Sequence, residues 1–494
     1  MKIDDNINFN AFFYPKTIAM IGATPSPGKW GFIIMMNIIK GGYTGRLFPV
    51  NPGYREIFGL PCFPSVNNIE EEVDLAIIAV PAANMIPAID DCIKKSISSA
   101  VVITSGFSET GAEGTMLEKE MVEKASRGGL RIIGPNTMGL FSAQVSLTAL
   151  MPPVTPLKGK VSMISQSGNV GTQILGWGRE MGVGFDKFVS SGNEGDIKCE
   201  DYLRYLGSDS QTEVIVLYLE SLEEGKTFLD IARDIVKEKP IIVFKGGKTD
   251  SGMAAAASHT GAMAGSINIY QSAFRQTGLI EVSSTEEIID TAGAFLSYPI
   301  PMGNRIGILT RGGGWGVITA DACEASGLQV PKLPEEVIKK IDEILPQYWS
   351  RGNPVDMVAV ITSEPYLKCL EILMSCDVID GIISLGGALG ESFGKSISDP
   401  NVLSIMGLSQ EDVTRFRAEL AAESSMINKT TKELMEKYKK PIVNVSIGGG
   451  KRTIEEHKFI TYPTPERAVR VMKYLVEYGD YLRQRNLYEK RRFR

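Results

Sequence analysis

Short runs of aliphatic and β-branched residues recur along the 494-residue chain, and most of them end in a glycine-rich turn followed by a helical stretch. In the first third, these runs are residues 17–23 (TIAMIGA), 46–50 (RLFPV), 74–80 (DLAIIAV), 100–105 (AVVITS) and 130–133 (LRII). Strands that are apolar throughout and separated by helices are typical of a parallel sheet that is covered on both faces. The pattern therefore predicts a doubly wound α/β domain.

The same pattern restarts twice, each time after a stretch that is typical of a linker. The linkers are residues 151–160 (MPPVTPLKGK) and 297–304 (SYPIPMGN). The later strands are predicted at residues 160–165, 214–219, 240–245, 305–310, 380–385 and 441–446. The second and third units open alike, with ISQSGNVGTQIL in one and LTRGGGWGVITA in the other, which indicates a distant internal repeat. We predict domains at 1–150, 158–297 and 305–475, with a basic tail at 476–494.

Composition excludes several classes of function. A net charge of −6 and a pI of about 5.4 give the chain no general attraction for nucleic acid or an anionic membrane. Neither a signal peptide nor an apolar stretch long enough to span a bilayer is predicted, so we expect a cytoplasmic protein. The six cysteines are scattered, and the two histidines, His259 and His457, are too few for a Cys/His or multi-histidine metal site.

The first glycine-rich turn, residues 22–31 (GATPSPGKWG), follows the first predicted strand. Its spacing is not the G-x-G-x-x-G of a dinucleotide site, and Asn51 stands where an NAD site expects an acidic residue. Free N–H groups at a helix start still favour a phosphate or the ADP portion of CoA. A tight turn without a ligand is the alternative.

Two further turns, residues 165–171 (SQSGNVG) and 311–316 (RGGGWG), open the repeated units. Glycines allow the backbone to approach an anion closely, so both turns resemble anion-binding helix N-termini. Close packing of helix on strand is the alternative for each turn. Two such turns at equivalent places predict helices that bind one phosphate.

His259 lies in residues 245–265 (KGGKTDSGMAAAASHTGAMAG), a long run of small residues that buries little surface and predicts a mobile or exposed loop. A lone histidine is usually a surface or core residue, but neutral imidazole on such a loop is also a suitable nucleophile. Its second nitrogen would need an acceptor, and Glu220 ends a predicted strand (VIVLYLE), where functional residues of parallel sheets gather. A plain capping or surface carboxylate is the alternative for Glu220.

With these motifs in order, the chain resembles the α subunit of ADP-forming acetyl-CoA synthetase, a relative of the succinyl-CoA synthetase α subunit. In the first domain, the resemblance rests on GATPSPGKWG, VNPGYREIFGLPCFPSV, DLAIIAVPA, ITSGFSETG and GPNTMGL. In the second, it rests on ISQSGNVG, SSGNEGDI, YLES and SHTGAMAG, and in the third on LTRGGGWGV and GNPVDM. The resemblance implies a Rossmann-like CoA-binding domain followed by two flavodoxin-like domains of the succinyl-CoA synthetase type.

The resemblance also implies roles for individual residues. His259 is the residue that becomes phosphorylated, and Glu220 orients it. The phosphoryl group is held by Ser167, Gly168, Asn169, Gly171, Gly313, Gly314 and Gly316. Coenzyme A is held by Gly22, Ala23, Thr24, Pro27, Gly28, Lys29, Asn51, Arg55, Val80, Pro81, Ser105, Gly106, Phe107 and Asn136. The family commonly has a lysine after Asn-Pro at the end of the second strand, whereas this chain has Gly53, with Arg55 as the candidate replacement.

The family's nucleotide-binding part is an ATP-grasp domain, and no segment of this chain matches one. The resemblance therefore implies a separate ATP-grasp β subunit that holds ADP or ATP with magnesium, in a hetero-oligomer or dimer. This chain would bind CoA, the carboxylic acid and phosphate, and the reaction would pass through an acyl phosphate and phosphohistidine. The alternatives are a non-catalytic acyl-CoA-binding regulatory subunit and, less favoured by Asn51, an NAD-dependent oxidoreductase.

Overall fold

A computed structural model describes residues 7–254, 266–358, 362–386, 405, 409–446 and 460–487. The chain divides into two compact units, Met1–Ile289 and Asp290–Arg494. Among the described residues, no helix is both long and apolar enough to cross a bilayer.

The first unit begins with a parallel sheet in the order β2-β1-β5-β6-β7. Its strands are β1 (Thr17–Ile21), β2 (Arg46–Val50), β5 (Leu75–Ile78), β6 (Ser99–Val102) and β7 (Arg131–Ile133), and a small hairpin consists of β3 (Glu56–Ile57) and β4 (Leu60–Pro61). The helices are α1 (Phe9–Phe13), α2 (Trp30–Gly41), α3 (Met85–Lys94) and α4 (Ala112–Arg127). The central strand β5 is wholly buried, as expected for a sheet covered on both faces.

The second sheet of this unit has the order β14-β13-β12-β10-β11-β8-β9. Its strands are β8 (Gly139–Ser142), β9 (Leu147–Leu150), β10 (Lys158–Ser165), β11 (Phe185–Ser190), β12 (Val214–Leu219), β13 (Ile241–Lys245) and β14 (Ile280–Glu281). The helices that follow its strands are α5 (Gly168–Glu180), α6 (Cys199–Ser208), α7 (Gly225–Ile235) and α8 (Ile267–Thr277).

The second unit contains a parallel sheet in the order β16-β15-β17-β18-β19. Helix α9 (Thr285–Ser297) leads into it. The strands are β15 (Ile306–Thr310), β16 (Val355–Asp356), β17 (Gly381–Leu385), β18 (Ile442–Val445) and β19 (Thr461–Tyr462). The helices are α10 (Gly313–Ala325), α11 (Glu335–Asp342), α12 (Ser363–Met374), α13 (Gln410–Tyr438) and α14 (Pro465–Gln484).

The predicted fold class is confirmed, because all three sheets are built mainly from parallel strands connected by helices. The structure differs from the predicted layout at residues 139–150, which we assigned to the end of the first domain. These residues form β8 and β9, and β8 pairs antiparallel with β11 of the second sheet. An antiparallel hairpin needs no helical crossover, so it lacks the helix–strand alternation on which the prediction relied. The exact domain limits stay a prediction.

The two sheets of the first unit are joined by residues 192–197, which follow β11 and which we call the joining segment. Its backbone N–H groups bond to the stretch after β7, with Asn193 donating to the carbonyl of Pro135 and Gly195 to that of Gly134. Gly192 has a φ of 64°, and a Cβ there would lie 2.2 Å from the Pro135 oxygen, so no larger residue fits. The joining segment therefore brings the carboxyl end of β11 against the carboxyl end of β7.

One ion pair fixes the end of the joining segment. The Arg131 guanidinium donates to both Asp196 carboxylate oxygens at 2.9–3.1 Å, and the Ile132 N–H donates to the same carboxylate at 2.7 Å. The two charged side chains are only 15% and 11% exposed. A bidentate pair shielded from water holds its geometry more strictly than a surface pair does.

Replacing Arg131 with methionine should lower the free energy of unfolding by about 3 kcal/mol, because Asp196 loses its partner in a site poor in water. Chemical denaturation monitored by circular dichroism measures the change. Arg127→Met is the matched control, since Arg127 pairs with Glu123 on the exposed face of α4, and it should cost less than about 0.5 kcal/mol. Equal effects of the two substitutions would contradict this role for the Arg131–Asp196 pair.

Candidate functional site

The turn after β1 packs against β5 so closely that it requires glycine. Gly22 has a φ of 88°, and a Cβ there would lie 2.4 Å from the Ala79 carbonyl oxygen. A Cβ on Gly31 would in turn lie 2.1 Å from the Gly22 oxygen. In this sheet, β1 connects to β2 on one side and lies beside β5 on the other, which makes the β1–β5 boundary the place where ligands of such folds bind.

Asn51 connects the second strand to this turn. Its amide nitrogen donates to the Ala23 carbonyl at 2.8 Å, and its amide oxygen accepts from the Gly53 N–H at 2.9 Å. Both polar atoms of the Asn51 side chain are therefore hydrogen-bonded to the backbone, one of them to the first glycine-rich turn. Lys29 and Arg55, by contrast, are exposed cations beside it, and Lys29 precedes α2 without giving that helix a side-chain cap.

The residues predicted to bind CoA come from all the strands of the first sheet. The residues of the first glycine-rich turn come after β1, and those at the end of the second strand, Asn51 and Arg55, come after β2. The others come after later strands: Val80 and Pro81 after β5, Ser105, Gly106 and Phe107 after β6, and Asn136 after β7. Because the strands are parallel, all of these positions lie at one edge of the sheet. Their contact with CoA stays a prediction.

The backbone of the loop after β6 is bonded to a carboxylate of the protein. The N–H groups of Gly106 and Phe107 donate to one oxygen of Glu109, at 2.6 and 3.2 Å, and Phe107 is fully buried in the core. Burial would raise the pKa of Glu109, but hydrogen bonds from Asn193 and from this loop outweigh it and lower that pKa. These two N–H groups are therefore already bound to a protein carboxylate.

The turn after β10 leads into α5, which begins at Gly168 with no side-chain cap from Ser167. A Cβ on Gly168 would lie 2.1 Å from the Met138 side chain, and one on Gly171 would lie 2.6 Å from the Phe188 ring. Close packing therefore accounts for these two glycines by itself. The uncapped first turn, which includes Asn169, is compatible with an anion as well.

A hydrogen-bond network spans the gap between the carboxyl ends of β10 and β12. The Gln166 amide oxygen accepts from the N–H groups of Glu220 and Ser221, at 2.6 and 3.0 Å. Glu220 is 9% exposed. The pKa of Tyr218 is raised to about 12, mainly because Tyr218 is buried and in addition because the Glu220 carboxylate is close to it. The predicted orienting carboxylate thus lies at the edge of the sheet where β10 and β12 meet.

Lys245, the last residue of β13, holds this edge together. Its ammonium donates to the Glu220 carbonyl at 2.7 Å and to the Gly246 carbonyl, and it is almost wholly buried. Burial lowers its pKa, while the nearby Glu220 charge opposes that shift. Leu219 and Lys245 are paired residues of adjacent parallel strands, so the chain leaves β13 directly beside Glu220. His259 itself lies outside the described residues.

The turn after β15 lies beside a carboxylate, unlike the turn after β10, which packs against apolar side chains. Helix α10 begins at Gly313, and the preceding Gly312 provides no side-chain cap. A Cβ on Gly313 would lie 2.9 Å from an Asp356 carboxylate oxygen, and Gly314 has open space around it. Gly316 is buried against Pro354. A carboxylate therefore lies near this helix start, which the sequence alone did not indicate.

Glu194 lies in the motif SSGNEGDI, and no role was predicted for it from the sequence. The Glu194 carboxylate accepts from Ser191 Oγ at 2.7 Å, Gln166 Nε2 at 3.1 Å and the Cys199 N–H at 3.4 Å. Burial is the main cause that raises its pKa to about 7. An acid with this pKa at the carboxyl end of a strand is a candidate functional group, and its place between Ser and Gly residues after β11 was the available signal.

Comparison with protein families matches three parts of the chain. Residues 16–143 match a CoA binding domain, residues 158–295 a succinyl-CoA ligase like flavodoxin domain, and residues 306–386 a ligase-CoA domain. These matches correspond to the three sheets in their order along the chain.

Similar proteins cover most of the chain. It is 35% identical over 485 residues to acetate–CoA ligase [ADP-forming] I subunit alpha of Pyrococcus furiosus, which covers 96% of this chain and 98% of that subunit. It is 43% identical over 373 residues to acetate–CoA ligase [ADP-forming] I of Archaeoglobus fulgidus, covering 76% of this chain. The chain spans about half of that second protein, since the match covers 54% of it.

A solved structure shares the fold of the whole chain. It is the dinucleotide-forming acetyl-coenzyme A synthetase 1 of Candidatus Korarchaeum cryptofilum in complex with phosphate and ADP, with a TM-score of 0.82 and 33% identity. The match covers 98% of this chain and 99% of the other.

The stability of the protein should depend on pH through Glu194. Its pKa is raised on folding, so the protonated carboxyl stabilises the folded state fully at low pH, and this contribution is lost as the pH rises from about 4.5 through about 7. Glu194→Gln mimics the protonated acid and should gain up to about 3 kcal/mol relative to the wild type between pH 5 and 8. Urea denaturation of both proteins across this range measures the difference, and a difference that does not vary with pH would contradict the assignment.

Proposed function

The chain belongs to the family of ADP-forming acetate–CoA ligases, and we propose that it is the α subunit of such an enzyme. The reaction interconverts acyl-CoA, ADP and phosphate with the free acid, CoA and ATP. The observation that carries the proposal is the arrangement at the second sheet, where Glu220 lies at the end of β12 and the segment with His259 leaves the adjacent β13. The similarity to a phosphate and ADP complex over the whole chain supports it.

The first half of the proposed reaction forms an acyl phosphate. An oxygen of inorganic phosphate attacks the thioester carbonyl of acyl-CoA, the carbon–sulfur bond breaks, and CoA leaves as the thiol after taking up a proton. The edge of the first sheet, with Lys29 and Arg55, would hold CoA. The joining segment, which contains Glu194, bonds to the stretch after β7 at that edge, and Ser191 at the end of β11 donates to Glu194. This contact supports a thioester placed near the phosphate.

The second half transfers the phosphoryl group twice. A ring nitrogen of His259 attacks the phosphorus of the acyl phosphate, and the carboxylate leaves. The terminal oxygen of ADP then attacks the phosphohistidine, which gives ATP and neutral imidazole. The Glu220 carboxylate would accept the N–H of the other ring nitrogen, which fixes the tautomer and stabilises the cationic phosphohistidine. The uncapped first turn of α5 would stabilise the transferred charge.

The partner is proposed to be an ATP-grasp β subunit that binds ADP or ATP with magnesium. The name of the Pyrococcus furiosus relative, subunit alpha, supports a multi-subunit enzyme. This chain matches about half of the Archaeoglobus fulgidus relative. The unmatched half of that protein is therefore of comparable size, as a second subunit of this enzyme would be. We place the reaction in the cytoplasm.

The alternative, a subunit that binds acyl-CoA without catalysis, is less favoured. The relatives are named as ligases. Glu220, Gln166 and Lys245 also form an organised site beyond what CoA binding needs.

The test is to incubate the purified chain, alone and with its β subunit, with acyl-CoA and radiolabelled phosphate. Acid-labile, base-stable label should appear in the wild type and be abolished by His259→Ala. His457→Ala is the matched control, because it removes the chain's other histidine, and it should label normally. Glu220→Gln should label about 10- to 100-fold more slowly, since the neutral amide is a weaker acceptor for the imidazole N–H and no longer stabilises the cationic phosphohistidine. Label that persists in His259→Ala would contradict the proposal.

Gly53 offers a gain-of-function test of the CoA site. A Cβ there meets only the Asn51 amide oxygen at 3.3 Å, so a lysine fits if this oxygen moves by a few tenths of an ångström. Gly53→Lys should bind CoA about tenfold more tightly at low salt, because it adds a cation beside the CoA phosphates. Isothermal titration calorimetry measures the affinity, with Gly53→Met as the uncharged control. Equal affinities of the lysine and methionine variants would contradict the placement of the CoA phosphates here.

A further inference from the structure

Two residues occupy equivalent positions in the repeated sheets. Strand β10 ends at Ser165 and α5 begins three residues later, and β15 ends at Thr310 with α10 beginning three residues later. Gln166 and Arg311 are therefore each the first residue after the strand. In its sheet, β10 lies between β11 and β12, and β15 likewise lies between β16 and β17. Each residue thus stands where the chain reverses direction across the sheet, the usual ligand crevice of such folds.

Gln166 fills its crevice with bonds to the protein. Its amide oxygen accepts hydrogen bonds from two N–H groups, as described above. Its Nε2 donates to Glu194 Oε1 at 3.1 Å and to the Ser221 carbonyl at 3.0 Å. Its side chain is fully satisfied by the ends of the neighbouring strands.

Arg311 at the equivalent position is not satisfied in this way. Its Nε and Nη2 atoms are buried and have no hydrogen-bond partner among the described residues. The guanidinium lies over the ring of Tyr366, with Cζ 5.3 Å from the ring centre. The hydroxyl of that tyrosine is already bonded to Ser384 Oγ at 2.6 Å. Ser384 lies on β17 and pairs with Leu309 on β15, so the ring that the guanidinium covers is bonded to the strand beside β15.

A buried guanidinium with unused N–H groups is costly unless an anion binds it. Burial is the main cause that lowers the pKa of Arg311, while Tyr366 and the charge of Glu423 oppose that shift. Neither of these residues bonds to Nε or Nη2. The planar fork of arginine matches an oxyanion with two parallel hydrogen bonds. We propose that Arg311 binds inorganic phosphate at the carboxyl end of β15.

The neighbouring carboxylate explains why a cation is needed here. The Asp356 carboxylate lies against Gly313 at the start of α10, so a phosphate held by that helix start alone would meet a negative charge. Arg311, whose guanidinium lies over the ring that is bonded to Ser384 of β17, would supply the opposing positive charge. This inference rests on the proposed function, which makes phosphate a substrate, and it adds a residue that the family resemblance did not name.

The direct test is titration of the full chain with inorganic phosphate by isothermal calorimetry. Arg311→Gln, which installs the residue found at the equivalent position, should weaken phosphate binding at least about tenfold. Arg311→Lys should retain part of the affinity, and Arg415→Gln, at an exposed arginine of α13, should retain all of it. Unchanged phosphate affinity in Arg311→Gln would overturn the proposal, as would acetate binding in place of phosphate at this residue.

Two further measurements separate the possible failures. The melting temperature of Arg311→Gln should equal or exceed that of the wild type, because the substitution removes a buried charge that is held for a ligand. A clear fall would indicate a structural role instead. With acyl-CoA and the β subunit present, Arg311→Gln should need at least about tenfold more phosphate for half-maximal labelling. If the wild type is never labelled, the proposed function fails, and the calorimetric result alone then decides whether Arg311 binds phosphate.

Discussion

The joining segment, residues 192–197, is the constraint on which the first unit depends. Its backbone N–H groups donate to the carbonyls of the stretch after β7, and the Arg131–Asp196 pair fixes its end. The carboxyl edge of one parallel sheet therefore meets the carboxyl edge of another. Parallel sheets bind their ligands at that edge. The contact therefore places the two edges side by side within one compact unit, as the proposed transfer between a thioester and a phosphate requires.

At the second sheet, the positions of the functional groups follow from strand order. Gln166 connects the ends of β10 and β12, and Lys245 connects the ends of β12 and β13 through the Glu220 carbonyl. Both contacts are made by the backbone of Glu220, while its carboxylate interacts with Tyr218. In the proposed mechanism, this fixed carboxylate is what allows a histidine on a segment of small residues to return repeatedly to the same geometry.

Much of this fold was predictable because buried parallel strands are continuous apolar runs. The bounds of β2 and β12 agree with the prediction, and the fold class and family are confirmed. The hairpin of β8 and β9 was missed because its pairing with β11 is antiparallel and distant in sequence. Glu194 and Arg311 were missed for a similar reason, since their burial is set by Gln166 in one case and Tyr366 in the other. The roles proposed for His259 and the CoA residues stay predictions.

The most direct measurement of the central claim is mass spectrometry, under alkaline conditions, of the chain during turnover with acyl-CoA, phosphate and the β subunit. The account predicts one phosphorylated peptide, modified on His259, which loses its phosphoryl group when ADP and magnesium are added. Turnover with no phosphorylated His259 at any time point, or with the phosphoryl group on another residue, would contradict it.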